Sequence, residues 1–336
     1  MYKKALMWYT NMYCIRAFYH VDKKAYERII TMSKLQAFLQ NPEYFITSPA
    51  AKGYLDWMPD GLYLKLLYRA KLKKKCNLKR PVLYNEKLQW IKINDRKEEY
   101  KKMVDKYEVR AYISDKIGEE YLIPCYGVYD TWEDIEFDKL PSQFVIKCTH
   151  DSGSVEICKN KNDWDKAGAE SRIKEALNRN YYKAYREWPY KDVPARIIIE
   201  KYMTDSLTDD LMDYKVMCFN GKACVTEVHE NRFTSGREHT QTFYDRDWNP
   251  LPIVQRGLVP CKEHREKPHC MDEMFRLSEL LAKDMYHVRI DWYLIENRIY
   301  FGEITFFDGS GFEIFEDEKQ ERILGDMIHL PIDDHS

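Results

Sequence analysis

In HVRIDWYLIENRIYFGEITF, residues 287–306, two acids and a base recur at a spacing that suits phosphate and metal chemistry. Two β-patterned runs flank the short polar turn Glu296, Asn297, Arg298, which is a hairpin signal. With those three residues as the loop, Ile295 faces Ile299, Asp291 sits opposite Glu303 and Arg289 opposite Thr305. Opposed residues share a face of the sheet. Two carboxylates directly across an antiparallel pair repel each other unless a cation lies between them. Magnesium binds through one or two carboxylates together with nucleotide phosphates and water, so Mg²⁺ is the natural candidate. Arg289, on the same face, could hold a phosphate. A loop of two or four residues would instead put the two acids on opposite faces. Periodicity alone equally allows Asp291 and Glu303 to be ordinary solvent-facing positions, with Val288, Ile290, Trp292 and Leu294 turned to the core.

A second candidate is FVIKCTHDSGSV, residues 144–155, where Lys147 ends an apolar run and Gly153 stands between Ser152 and Ser154. A loop of small residues lets backbone N–H groups approach anionic oxygens, and the lysine adds a point charge. The spacing is not that of a Walker loop. Such a lysine and loop also arise by chance. They gain weight from the order of parts: Lys106, Lys147 and its loop, Glu200 and Lys201, Lys215, and then the carboxylate hairpin.

The elements that must position these groups change character along the chain. Residues Met1 to about Asn94 carry helical periodicity, broken at Pro42, Pro59, Gly61 and Pro81. From Tyr100 onward helices alternate with short β-rich runs, the pattern of an α+β or α/β enzyme. The strand candidates are FVIKC, RIIIE, DYKVMCFNGK, ACVTEVH, HVRIDWYLI and IYFGEITF. Between His269 and Lys283, Met271, Met274, Leu277 and Leu281 recur on one helical face.

At 336 residues the chain can form one large or two coupled domains. Its nine cysteines are scattered singly without CxxC spacing, which reads as reduced thiols in a cytosol. No run of 18 apolar residues occurs, so a soluble, cytoplasmic chain is expected. A net charge of −2 gives no global reason to bind nucleic acid. Between Lys65 and Arg80, however, eight basic residues occur without an acid, interleaved with Leu64, Leu66, Leu67 and Leu72. That segment is either a solvated helix face or a peripheral contact with an anionic membrane at its inner face. Cys261, His264, His269 and Cys270 are zinc-competent, but adjacent ligands at His269 and Cys270 suit one tetrahedral centre poorly.

Taken together, NEKLQWIKINDR, VDKYEVRAYI, IGEEYLIPCYGVYD, LPSQFVIKCTHDSGS, DYKVMCFNGK, FYDRDWNPL and HVRIDWYLIENRIYFGEITFFDGSGF resemble the ATP-grasp superfamily, and its teichuronopeptide-biosynthesis-like branch in particular. The resemblance spans about Asn77 to Pro331. It implies an α+β ATP-grasp fold, two lobes holding ATP between antiparallel sheets, behind a helical N-terminal region. The corresponding division is 1–95, 96–205 and 206–336. It implies Lys106 and Lys147 beside the phosphates, His150, Asp151, Ser152, Gly153 and Ser154 as the loop over them, and Glu200, Lys201, Tyr202 and Met203 facing adenine. Lys215 falls near the phosphates, Asp291 and Glu303 carry Mg²⁺, and Arg289 meets the transferred phosphoryl group. Where many relatives have asparagine two residues after the second acid, this chain has Thr305, with Asp308 or water available to complete the metal shell. Arg232 is an anion-clamp candidate.

The activity so implied is ATP-dependent amide formation through an acylphosphate, joining an amine or amino acid to a carboxylated sugar or glycan precursor of a surface polysaccharide. Two other readings stay open: a glycosyltransferase of the same pathways, for which Asp245–Arg246–Asp247 is a faint DxD-like motif, and an ATP-binding protein without turnover.

Overall fold

The structure, a computed structural model, describes residues 41–204, 212–230, 238–262 and 265–332. Arg232, His264 and residues 1–40 lie outside them. Three helices open the described chain: α1 (Tyr44–Ala51), α2 (Asp60–Leu72) and α3 (Tyr84–Asn94). The short helices α4 (Glu99–Val104) and α5 (Glu108–Lys116) follow, then β1 (Cys125–Tyr129), β2 (Phe144–Cys148), β3 (Val155–Cys158), α6 (Lys166–Leu177), α7 (Tyr181–Tyr185) and β4 (Ile197–Lys201). The remainder holds β5 (Asp213–Phe219), β6 (Lys222–Glu230), β7 (Thr240–Asp245), α8 (Met271–Leu281), β8 (His287–Ile295), β9 (Arg298–Thr305) and α9 (Glu318–Met327). No described helix is long and apolar enough to cross a membrane.

The strands form two antiparallel sheets, one ordered β1-β4-β2-β3 and the other β7-β6-β5-β8-β9. The expected α+β class is the observed one. Strand β2 coincides with FVIKC and β8 with HVRIDWYLI. The DYKVMCFNGK run divides at Asn220–Gly221, whose positive φ values of 48° and 79° build the tight β5–β6 turn. Strands β1, β3 and β7 are shorter or more polar than the expected strands and escaped the periodicity signal.

Each sheet is apolar on one face. In the first, Phe144, Ile146, Cys148, Ile197 and Ile199 pack with Trp132, Ala169 and Ile173. In the second, Val216, Val228, Ile290 and Trp292 join Met271, Met274, Leu277 and Leu281 of α8 in one core. Burying each such side chain contributes on the order of 1.5–3 kcal/mol. Trp292 keeps its polar end satisfied by donating Nε1–H to Ser278 Oγ at 2.8 Å. The opposite, polar faces of both sheets are where the chemistry-bearing residues collect.

Helix α2 places Tyr63, Leu64, Leu67 and Tyr68 in a third core with Tyr185 and Phe312. Leu62, Lys65, Leu66 and Arg69 remain exposed along its other side.

Candidate active site

The β8–β9 turn has two residues, Glu296 and Asn297, both with positive φ (49° and 62°), so Ile295 pairs with Arg298. The three-residue loop expected from the sequence is therefore corrected. Pairing continues in that register to Trp292↔Phe301 and then shifts by one residue, so that Asp291↔Glu303 and Arg289↔Thr305 are the observed partners. Gly302 is the inserted residue of this bulge. A Cβ there would stand 3.0 Å from the Asp291 carbonyl oxygen. The expected juxtaposition is thus present, produced by a bulge rather than by the turn.

Strand registry extends this pair into a row across the polar face: Glu227↔Lys215 on β6 and β5, Lys215↔Asp291 on β5 and β8, Asp291↔Glu303 on β8 and β9. Lys215 Nζ lies 2.5 Å from Asp291 Oδ2 and 2.9 Å from Asp213 Oδ2. Arg289 grips Asp291 with two bonds, Nε to Oδ1 at 2.7 Å and Nη2 to Oδ2 at 2.9 Å, and donates Nη1–H to Asp308. Bidentate pairing of this kind fixes the guanidinium plane as well as its charge. Glu303 Oε1 is held more loosely, 3.6 Å from Arg289 Nη2 and 3.4 Å from the Thr305 hydroxyl. Its side chain is 46% exposed against 3% for Asp291.

The protonation states follow from this packing. Burial pushes the Asp291 carboxyl up, but Arg289 and Lys215 outweigh it and hold the group below its ordinary value. Burial and Arg289 act to lower Lys215, and Asp213 and Asp291 reverse them, leaving it raised. Asp308 is pushed up to about 6 by burial, in spite of Arg289. Burial would raise Glu227 too, yet His229 at 2.5 Å, Arg289 and Lys215 bring it below its usual range.

On the first sheet Lys147 and Glu200 share the polar face, since Val145 opposes Glu200 and Lys147 lies two residues along. Lys147 Nζ stands 2.8 Å from Glu200 Oε2, and Arg110 Nη1 stands 3.4 Å from Glu200 Oε1. Lys201 is exposed, and Tyr202 and Met203 follow β4 half-buried.

Lys106 is tied to the loop after β2 twice: its N–H donates to the Thr149 carbonyl at 3.1 Å and its Nζ to the Asp151 carbonyl. Within that loop the Ser154 hydroxyl donates to Asp151, and a ring nitrogen of His150 lies 3.3 Å from the Arg179 carbonyl. His150, Asp151 and Ser154 are buried and hold the loop's shape, while Ser152 is half-exposed and Gly153, with φ 91°, is open. Burial lowers the His150 pKa, so the ring is neutral near pH 7.

Tyr190 was not legible as a site residue. It is one of 26 tyrosines and lies in no motif. In the structure its phenol is raised well above the ordinary value by burial and then by Glu187, Glu303 and Asp151. It therefore sits in the joint field of the carboxylate hairpin and the loop after β2. Asp213 and Glu227 are further charges on the polar face that the sequence did not single out. Among the described residues no three His, Cys, Asp or Glu side chains converge as a metal-binding group. Arg232 lies outside the described residues.

A model of the TupA-like ATPgrasp family matches residues 86–329. No curated protein matches the chain. Solved structures with a distant likeness include D-alanine–D-alanine ligase from Bacillus anthracis complexed with ATP, at 18% identity and TM-score 0.37, covering 60% of this chain and 54% of that one. The D-alanine–D-alanine ligase of Helicobacter pylori shares 15% identity at TM-score 0.34, covering 68% and 61% respectively. The ligase PsnB, complexed with a phosphomimetic variant of its minimal precursor, Mg and ADP, shares 9% at TM-score 0.37, covering 66% and 57%. The chain spans little more than half the length of these proteins.

Proposed function

Because the chain belongs to the TupA-like ATP-grasp family, we propose that it is an ATP-dependent ligase that joins a carboxylate to an amine through an acylphosphate. The observation that carries this reading is the placement of Asp291, Glu303, Arg289 and Lys215 on one polar sheet face. Phosphoryl transfer asks a protein mainly for positioning and charge neutralisation, and this face supplies both.

Mg²⁺ fits the donor set. Glu303 offers a loosely held carboxylate, and Asp291 and the Thr305 hydroxyl add hard oxygen donors on the same face. A bound Mg²⁺ would neutralise phosphate charge there. Arg289, clamped by Asp291 and Asp308, directs a fixed guanidinium at the transferring group, and Lys215 adds a second cation. Lys106, Lys147 and the open backbone at Ser152–Gly153 receive the remaining phosphates, with Glu200 to Met203 facing adenine. Arg232 serves as an anion clamp.

For the acid we propose a carboxylated sugar or glycan precursor, and for the co-substrate an amine or amino acid. The exposed side of α2, with Leu62 and Leu66 beside Lys65 and Arg69, supports peripheral contact with an anionic inner-membrane face.

The deciding test is calorimetric titration of AMP-PNP, with and without Mg²⁺, into the wild type and Glu303→Gln. Magnesium-dependent binding weakened by the substitution supports the reading. Absence of binding under every condition overturns it and brings the glycosyltransferase reading forward.

A further inference from the structure

A second group of charges lies where the N-terminal helices meet residues 181–190 and the loop 308–313. The loop leaves the proposed phosphoryl-transfer site at Asp308, which accepts from Arg289. Gly309, Ser310 and Gly311 then all adopt left-handed φ, at 51°, 56° and 65°. Glycine enters this region freely, whereas Ser310 is held there at roughly 1–2 kcal/mol. The reversal folds Glu313 back over Gly309, where a Cβ would stand 2.0 Å from Glu313 Oε1.

The loop meets two lysines. Lys92 of α3 is fully buried, donating to the carbonyls of Tyr185 at 3.0 Å and Ser310 at 2.7 Å, with its Nζ 4.8 Å from the Phe312 ring centre. Lys71 of α2 holds its Nζ 5.1 Å from the same ring and 5.2 Å from that of Tyr185. The Tyr181 hydroxyl lies 3.2 Å from Ser310 Oγ.

Two carboxylates in this group are incompletely met. Glu187 is 3% exposed and its Oε1 has no hydrogen-bond partner among the described residues. The Glu313 carboxylate has no hydrogen bond or ion pair to a described residue, although Asp308, Lys71 and Arg289 all act on it electrostatically. Burial pushes Glu187 up to about 7 and Glu313 up to about 8, and draws Lys71 down to about 8 and Lys92 down to about 7. Lys71 and Glu313 nevertheless keep partial solvent exposure. Strong desolvation of a side chain that water still reaches is the signature of a narrow recess. Buried acids without partners are costly unless something else completes them.

We infer that this recess receives the amine-bearing substrate as a zwitterionic α-amino acid, with the ammonium between Glu187 and Glu313 and the carboxylate at Lys71. The inference rests on the ligase reading for the role of that amine as nucleophile. The ammonium would stand beside the loop that carries Asp308, and so next to Arg289 and the acylphosphate. Helices α2 and α3 thereby supply the recognition surface for one substrate.

The test is calorimetric titration of glycine, L-alanine, L-glutamate, L-lysine, D-alanine and D-glutamate, each alone and with AMP-PNP and Mg²⁺, into the full chain. At least one should bind with a dissociation constant of about 1 mM or tighter. The matching methyl ester, which lacks the carboxylate, and the matching α-keto acid, which lacks the ammonium, should each bind at least tenfold more weakly. Glu313→Gln and Lys71→Met should weaken the amino acid by tenfold or more. If no amino acid binds, or if the ester and keto acid bind as well as the parent, the inference is overturned whatever the variants do. Amino-acid binding without nucleotide binding would sink the ligase reading and keep the recess. Nucleotide binding without amino-acid binding would do the reverse.

Discussion

Asp291 faces Glu303 across β8 and β9 although the two-residue turn between those strands would by itself place them on opposite faces; the extra residue Gly302 restores the match. Period-two alternation makes a one-residue shift equivalent to turning every later side chain over. One glycine therefore brings Glu303 and Thr305 to the face that carries Asp291 and Arg289.

Gly302→Val should test this bulge. Its Cβ would press on the Asp291 carbonyl oxygen at 3.0 Å and on Tyr293 Cε2 at 3.2 Å. A loss of about 1–3 kcal/mol in urea unfolding is expected. Magnesium-dependent AMP-PNP binding should weaken as well, since the strain falls on the strand that presents Glu303. Wild-type stability and binding would show that the bulge tolerates a side chain.

The two acids should separate in kind. Asp291→Asn leaves the buried Arg289 and Lys215 short of their shared counter-charge, which should cost about 3–5 kcal/mol. Glu303→Gln, at a half-exposed carboxylate, should change stability by less than about 0.5 kcal/mol while weakening magnesium-dependent nucleotide binding. Equal destabilisation by both substitutions in denaturant melts would contradict this division.

His287 predicts an acid limb of stability. The ring is buried, lies 3.0 Å from the Tyr84 hydroxyl, and is lowered by burial from 6.5 to about 3. Between those values the unfolded chain binds the proton and the folded chain does not. Stability is therefore whole above about pH 6.5 and falls with decreasing pH, at up to about 1.4 kcal/mol per unit from this group. His287→Gln should flatten the pH 7 to pH 5 difference in unfolding free energy, even though its stability at pH 7 is lower. An unchanged slope would assign the acid limb to other groups.

Lys147→Met should leave Glu200 with only the more distant Arg110 as a cationic partner. Weaker AMP-PNP binding is expected, by tenfold or more if Lys147 meets phosphate. A change confined to stability would mean that the lysine serves Glu200 alone.

Much of this protein was written locally. The alternation in HVRIDWYLI and FVIKC marked two strands at their observed bounds, and the spacing of Met271, Met274, Leu277 and Leu281 marked the face of α8, because burial on one side imprints a period on the sequence. Motif order carried the family, and residue type with spacing carried Asp291, Glu303, Arg289 and Lys147 as candidates. Tertiary structure alone decided the rest. The turn length and its compensating bulge depend on pairing across strands, which single-strand periodicity does not encode. Tyr190 meets Glu303 and Asp151, and Glu187 and Glu313 meet Lys71, across separations of tens to hundreds of residues with no pattern linking them. Which charges end up buried together is fixed by how the helices, the sheets and the left-handed loop at Gly309–Gly311 pack, and that packing sets their protonation.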